Sequence, residues 1–130
     1  MPDLNRSKRW YAELLGWQEV MTGADADSGV TVGAMSGGFL LGLRQHSANS
    51  GDRFDTRRTG LDHAALAVAI PEELSGWEQR LAASRVTYSP TVSAPYWHVL
   101  SFKDPDGIAL EFFVPRAQPR SALPPMSATA

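Results

Sequence analysis

The feature that most constrains the fold is a pattern that occurs twice within the sequence. Residues 38–43 read GFLLGL, and residues 107–112 read GIALEF in matching positions. Trp10 and Trp77 lie at nearly the same spacing along the chain and in similar surroundings. Self-similarity at a fixed spacing indicates two copies of one structural unit. We therefore expect two sheets that each pack one face on helices and line a shared cavity with the other face.

The first half of the sequence predicts a helix followed by three strands. Residues 4–15 show helical spacing of apolar side chains, and Asp3 or Asn5 can cap this helix while Gly16 can end it. Apolar runs between turn-rich segments predict the three strands. These strands cover residues 18–22, 30–34 and 39–45.

The second half predicts the same elements and one more strand. Pro71 and the two glutamates after it suit the first turn of a helix that runs to about residue 84. One strand is expected before this helix and three after it, over residues 61–68, 86–92, 97–103 and 108–114. The complete unit is therefore βαβββ. The first copy starts at its helix, so its opening strand is expected to lie before Met1.

The predicted organisation is a single α+β domain over residues 1–115. The first module covers about residues 1–46, and the second covers about residues 61–115. Between them, residues 47–60 have the polar, turn-rich composition of a linker. Residues 116–130 are rich in proline and small side chains, and we expect them to form a disordered tail.

The composition excludes several classes of function. The chain contains no cysteine, which excludes disulfides and thiolate metal sites. Its net charge of -2 gives no attraction to nucleic acid or to an anionic membrane. The sequence contains neither a bilayer-spanning apolar run nor a secretion signal. We therefore expect a cytoplasmic protein whose partner is a small molecule, with no nucleic acid and no membrane involved.

A turn motif sets the orientation of one acidic side chain. Residues 104–107 read DPDG, with Asp, Pro and Gly at the positions that a type I turn prefers. In the strand that follows, Leu110 and Phe112 then face the helices, while Glu111 and Phe113 face the other way. A carboxylate among such apolar neighbours needs a cation, a metal or hydrogen-bond donors.

The strand predicted over residues 61–68 also has a side opposite to the helices. Alternation along the strand places His63 and Ala65 on the side opposite to the helices, towards the expected cavity. The small alanine side chain leaves room there for a ligand.

Three stretches, in this order, resemble the glyoxalase, bleomycin-resistance and dioxygenase superfamily, which is also called the vicinal oxygen chelate superfamily. Residues 3–16, DLNRSKRWYAELLG, are similar to the family's first strand-to-helix junction and helix. Residues 60–68, GLDHAALAV, resemble the opening strand of its second module, and residues 102–112, FKDPDGIALEF, resemble its closing hairpin. The resemblance covers roughly residues 3–115 and implies an α+β fold of paired βαβββ modules.

The resemblance also implies a metal site. Metal-binding members take one ligand from the first strand and one from the last strand of each module, which implies His63 and Glu111 as ligands here. It further implies Glu111 as the catalytic group, and Fe, Mn, Ni or Zn as the divalent ion. The position equivalent to Glu111 in the first module is Gly42, and the strand with the remaining ligand is absent. With half of the ligand set missing, a protein without any metal is an open alternative.

Further residues are candidates for binding the organic ligand. Arg44 shares the cavity side of its strand and can hold an anion through its guanidinium fork. Tyr96 and His98 flank the start of a strand, where they can line the mouth of a pocket. With two residues from the strands above, the expected ligand-binding set is Arg44, Ala65, Tyr96, His98 and Phe113.

The resemblance leaves three interpretations of the function open. The first is an enzyme, a lyase, isomerase or dioxygenase, that acts on a small oxygen-rich or aromatic molecule. The second is a metal-free, non-catalytic protein that binds a drug or metabolite, as bleomycin-resistance proteins do. The third is a member of the family that is truncated at its N-terminus. Each is compatible with a homodimer, which the resemblance also implies.

Overall fold

The computed structural model describes residues 1–36 and 38–116, which form two helices and seven strands. Apart from Arg116, the expected tail lies outside the described residues. The first half contains α1 (Leu4–Leu15), β1 (Gln18–Ala24), β2 (Ser28–Met35) and β3 (Phe39–His46). The second half contains β4 (Ala64–Ala67), α2 (Glu72–Ala83), β5 (Val92–Ser93), β6 (Trp97–Lys103) and β7 (Ala109–Pro115).

The two sheets repeat one hydrogen-bonding register. The first sheet has the antiparallel order β1-β2-β3, and the second has the order β4-β7-β6-β5, with β4 parallel to β7. Val32 lies opposite Gly42 in the first sheet, and Ser101 lies opposite Glu111 in the second. The two pairs are separated along the chain by the same spacing as the repeated sequence pattern. The α+β architecture of two related modules is therefore confirmed.

The helices begin and end as the sequence predicts. The Asp3 carboxylate accepts a hydrogen bond from the backbone N–H of Arg6 at 3.0 Å, which caps the first turn of α1. Gly16 ends α1 in the left-handed region, with φ at 68°, where a residue without Cβ is favoured. Neither helix among the described residues is long and apolar enough to cross a membrane.

One predicted strand is wrong for most of its length. The sequence predicts a strand over residues 86–92, but the structure has an isolated bridge between Tyr88 and Phe102 and then β5, from Val92 to Ser93. Pro90 lies between these two contacts. It has no backbone N–H to donate to a neighbouring strand, which interrupts the ladder.

Both helices cover the same side of the sheets and share one hydrophobic core. Leu81 on α2 and Leu100 on β6 are fully buried, and Leu43 brings the first sheet into the same cluster. Trp17 also belongs to this core and lies over Gly33, where an added Cβ would be 2.0 Å from the indole ring. The Trp17 indole N–H donates to the carbonyl of Leu41 at 3.0 Å.

A buried polar cluster joins α1 to the hairpin between β6 and β7. The Tyr11 hydroxyl donates to the Asp104 carboxylate at 3.0 Å, and Arg6 forms an ion pair with Asp106. Burial raises the pKa of Asp104, even though backbone N–H groups and Tyr11 donate to it. Burial and the adjacent Asp104 carboxylate also raise the pKa of Tyr11. The helix of the first half is thus held by the turn of the second.

Candidate functional site

The candidate site lies on the face of the second sheet that points away from the helices, called here the open face of the second sheet. Alternation along β7 buries Leu110 and Phe112 against the helices and leaves Glu111 on the open face. Ala65 on β4 and Ser101 on β6 are the cross-strand neighbours of Glu111. The orientation predicted from the DPDG turn is confirmed.

A row of three polar side chains crosses this face. The Nε2 atom of His63 lies 3.6 Å from Oε2 of Glu111, and the Nδ1 atom of His63 lies 2.7 Å from Oδ2 of Asp62. The hydrogen bond with Asp62, followed by the charge of Glu111, raises the pKa of His63. With Nδ1 held by Asp62, Nε2 is the ring nitrogen directed to Glu111.

An apolar cavity of about 370 Å³ adjoins the histidine and the glutamate. Trp97 and Phe113 supply its aromatic walls, and Ala65 leaves its floor open. The full lining consists of His63, Ala65, Trp97, Val99, Glu111 and Phe113. This arrangement can hold a small apolar body while two titratable groups contact a polar substituent.

The donor atoms present fit part of a divalent metal site. Two ligands bonded at about 2.1 Å with tetrahedral geometry lie about 3.4 Å apart, close to the separation of His63 and Glu111. Asp62 would orient the histidine, as carboxylates behind metal-bound histidines do. In residues 1–36 and 38–116, however, no group of three or more potential metal ligands comes together. These residues do not complete a metal shell, so we derive no chemical step through a metal.

The structure brings together four of the seven predicted site residues. His63, Ala65, Glu111 and Phe113 line the same cavity. The other three, which are discussed next, are not part of its lining.

Arg44 lies on the first sheet and already has protein partners. Its guanidinium donates to the Ser28 hydroxyl at 2.7 Å and lies 3.6 Å from the Asp25 carboxylate. The structure therefore does not place it with His63 and Glu111.

His98 and Tyr96 also lie apart from the cavity. His98 alternates with Trp97 along β6 and so takes the side of the helices, where its Nδ1 lies 2.9 Å from the Ser93 hydroxyl. The prediction that His98 lines the pocket mouth with Tyr96 neglected this alternation, because adjacent side chains of a strand point to opposite faces. Tyr96 precedes β6, is 60% exposed, and has its ring centroid 6.3 Å from that of Trp97.

Sequence reasoning missed Val99 in the lining of this cavity, and it missed Asp62, Ser101 and Lys103, which line a smaller cavity that His63 and Glu111 also border. Asp62 holds His63, while Ser101 and Lys103 share the open face with Trp97. The period-two alternation of β6 contains the signal for Ser101 and Lys103, since both are an even number of positions from Trp97. The signal for Asp62 is its position next to a predicted histidine ligand.

The fold and the site define a small protein in which an αβββ module and a βαβββ module are paired, with one polar pair on an open sheet face. A family model described as the Glyoxalase/Bleomycin resistance protein/Dioxygenase superfamily matches residues 1–112. The chain belongs to this superfamily.

Solved structures with the same fold support this assignment. The chain is similar to a glyoxylase/bleomycin resistance protein/dioxygenase domain from Frankia sp. EAN1pec, with 37% identity, a TM-score of 0.85, and coverage of 89% of this chain and 91% of that one. It is also similar in fold to the fosfomycin resistance protein FosX from Listeria monocytogenes, with 16% identity, a TM-score of 0.68, and coverage of 88% and 85%. A FosX mutant was solved with Mn(II) and a dihydroxypropylphosphonic acid.

A third relative comes from an environmental sample. It is an integron cassette protein from the mobile metagenome of the Halifax Harbour sewage outfall, with 22% identity, a TM-score of 0.68, and coverage of 88% and 90%. Among curated proteins, no match to this chain is found.

Proposed function

We propose that the protein binds a small aromatic molecule with oxygen substituents on the open face of its second sheet. The observation that carries this proposal is the row Asp62–His63–Glu111 beside an apolar cavity of about 370 Å³. Glu111 and His63 contact the oxygen atoms of the ligand, and the aromatic walls of the cavity contact its ring.

Binding to this face can be tested with catechol as the probe. The indole N–H signal of Trp97 is followed by NMR during the titration, and the change is expected to saturate. Glu111→Gln and His63→Ala are each expected to weaken binding about tenfold, because the first makes a charged acceptor neutral and the second removes a hydrogen-bonding ring. Glu13→Gln and His46→Ala, which alter exposed residues away from the face, serve as matched controls.

The catechol proposal fails under two outcomes. One is the absence of any change at Trp97 in the wild-type protein. The other is equal weakening by the control variants and by the variants of the site, since this would indicate a general effect on folding. Thermal unfolding of every variant, recorded beside the titrations, identifies the second case.

A second candidate function is a metal-assisted lyase, isomerase or dioxygenase in which His63 and Glu111 are two of the metal ligands. The 3.6 Å separation of His63 Nε2 and Glu111 Oε2, together with the Asp62 contact, favours this candidate.

Calorimetry with Mn(II) distinguishes the two candidates. The metal-assisted function requires stoichiometric binding that Glu111→Gln abolishes. Asp62→Asn should weaken binding at least about tenfold, since it removes the charge that orients His63. Wild-type protein that binds no Mn(II), Fe(II), Ni(II) or Zn(II) above the level of Glu111→Gln contradicts this candidate and leaves the first proposal intact.

We also propose that the open faces are covered in a homodimer. Met21 and Leu40 on the first sheet are 61% and 63% exposed, and Trp97 on the second sheet is 47% exposed. Burying such apolar surface favours association. Sedimentation should give twice the 14.1 kDa of one chain, and Leu40→Glu should give one chain, with Leu61→Glu as the control. A wild-type monomer at micromolar concentration rules the dimer out.

A further inference from the structure

The His63–Glu111 pair lines two cavities that differ in their other residues. On one side is the apolar cavity of about 370 Å³ that contains Trp97 and Phe113. On the other side is a smaller cavity of about 160 Å³, which His63 and Glu111 also line. The rest of its lining consists of Asp62, Thr87, Tyr88, Ser89, Ser101, Phe102, Lys103, Ala109 and Leu110. We call these the ring cavity and the head cavity.

The register of β6 and β7 orders apolar, acidic and cationic side chains along the open face. Along β6, the side chains on the open face are successively Trp97, Val99, Ser101 and Lys103. Val99 lies opposite Phe113, and Ser101 lies opposite Glu111. Val99 and Lys103 are four residues apart along β6, which corresponds to about 13 Å on the open face. The face therefore changes from apolar to acidic to cationic over the length of a small molecule.

The polar groups specify what the head of a ligand must carry. Lys103 has only donors, and a carboxylate is the acceptor that an ammonium and neighbouring hydroxyls hold best. An ionised Glu111 has only acceptors, and next to a ligand carboxylate it is satisfied only if the ligand also donates a hydrogen bond. A hydroxyl group beside the carboxylate supplies this donor. A carboxylate alone would instead face Glu111 as a like charge.

We propose that the ligand is an aromatic hydroxy acid that binds lengthwise along β6, with its ring beside Phe113 and Val99, its hydroxyl donating to Glu111 and its carboxylate towards Lys103. This rests on the proposed function, because it uses the same face and the same Glu111. It adds Lys103 as the residue that selects an acid and Phe113 as the side chain against which the ring packs.

Three related probes separate the contribution of the hydroxyl from that of the carboxylate. The first is 3-phenyllactate, which has both hydroxyl and carboxylate. The second is 3-phenylpropionate, which lacks the hydroxyl, and the third is 3-phenylpropane-1,2-diol, which has a hydroxymethyl group in place of the carboxylate. Calorimetric affinities are measured for the wild-type protein, Lys103→Gln and Glu111→Gln. Lys8→Gln is the matched control, because this other lysine lies on α1 and pairs with Glu19.

We expect 3-phenyllactate to bind about tenfold more tightly than either other probe, as one hydrogen bond with a charged partner is lost in each. Lys103→Gln should weaken 3-phenyllactate about tenfold and leave the diol unchanged. Glu111→Gln should remove the advantage of 3-phenyllactate over 3-phenylpropionate. Lys8→Gln should change none of these affinities.

The inference is overturned if the diol binds as tightly as 3-phenyllactate, or if Lys103→Gln weakens all three probes equally. Its failure is distinct from failure of the proposed function. Catechol that binds in a Glu111-dependent manner while 3-phenyllactate does not would refute only the hydroxy acid. Loss of both, with the protein folded, would refute the proposed function as well.

Discussion

The two halves of the chain share a backbone pattern and differ on one face. Leu43 in β3 and Phe112 in β7 lie at equivalent positions, and both are almost fully buried on the side of the helices. One residue earlier, Gly42 in the first half corresponds to Glu111 in the second, and both positions are on the open face. The side that packs the core thus determines the fold, while the opposite side can gain or lose chemical groups without altering it.

The halves also fill their cores from different strands. In the first half, the bulky Trp17, which directly precedes β1, lies over Gly33 on β2. The equivalent positions of the second half hold Val86 and Phe102, so the large side chain there comes from β6. Equivalent backbones can therefore be packed by opposite assignments of large and small residues, provided that the total volume is filled.

Of the substitutions that test this comparison, Gly33→Ala is expected to have the largest effect on stability. The new methyl group would lie 2.0 Å from the Trp17 ring, so the indole or the strand must move. We expect a loss of at least about 2 kcal/mol in the free energy of unfolding, measured with urea. Gly42→Ala, whose Cβ would lie 3.9 Å from Val32 Cγ2, is the matched control and should lose little.

A second substitution shows whether this loss comes from the indole. Trp17→Leu frees space over residue 33, so Gly33→Ala should cost less in that background than in the wild-type protein. Equal costs in both backgrounds would mean that Gly33 is required for a reason other than its contact with Trp17.

The contact between the halves predicts a smaller, pH-dependent effect. Folding raises the pKa of Tyr11 above its ordinary value of 10.0, because the hydroxyl is buried and donates to Asp104. Above that pH the unfolded chain releases the phenolic proton and the folded chain retains it, so stability falls as the pH rises. From pH 8 to pH 11 this contribution amounts to about 1.4 kcal/mol.

Tyr11→Phe isolates this contribution from that of the other titrating groups. Urea unfolding at both pH values should show a smaller loss for Tyr11→Phe than for the wild-type protein, by about 1.4 kcal/mol. The exposed Tyr96→Phe is the control and should behave as the wild type does. If Tyr11→Phe and the wild-type protein lose stability equally between the two pH values, ionisation of Tyr11 does not contribute to the pH dependence of folding.

Local sequence patterns predicted most of the fold, because helical spacing, capping residues and turns act over short stretches of the chain. The helix over residues 4–15 and the orientation of Glu111 after the DPDG turn depend only on such patterns. Trp17 illustrates what these patterns do not contain. Its burial depends on Gly33, which lies on β2 and meets the indole only after the sheet has formed.

The candidate site shows the same division. Alternation along single strands predicted the cavity side for His63, Ala65, Glu111 and Phe113, the family resemblance implied that their strands share one site, and all four line the cavity. Which strands lie side by side is a tertiary property, and Arg44 depends on it. Its strand belongs to the first sheet, where Ser28 and Asp25 occupy its guanidinium. An outward-facing arginine is indistinguishable from a ligand-binding one until those partners are known.

The smallest expected effect comes from exchanging the side chains that distinguish the two halves. Gly42 is exposed on the open face, and an added Cβ would meet only Val32 at ordinary contact distance. Gly42→Glu should therefore change the free energy of unfolding by less than about 0.5 kcal/mol. Glu111→Gln keeps the side-chain volume and should change it equally little, while it alone weakens catechol binding. If Gly42→Glu instead costs more than about 1 kcal/mol, the first sheet tolerates no carboxylate at this position. The two open faces would then differ in their packing as well as in their chemistry.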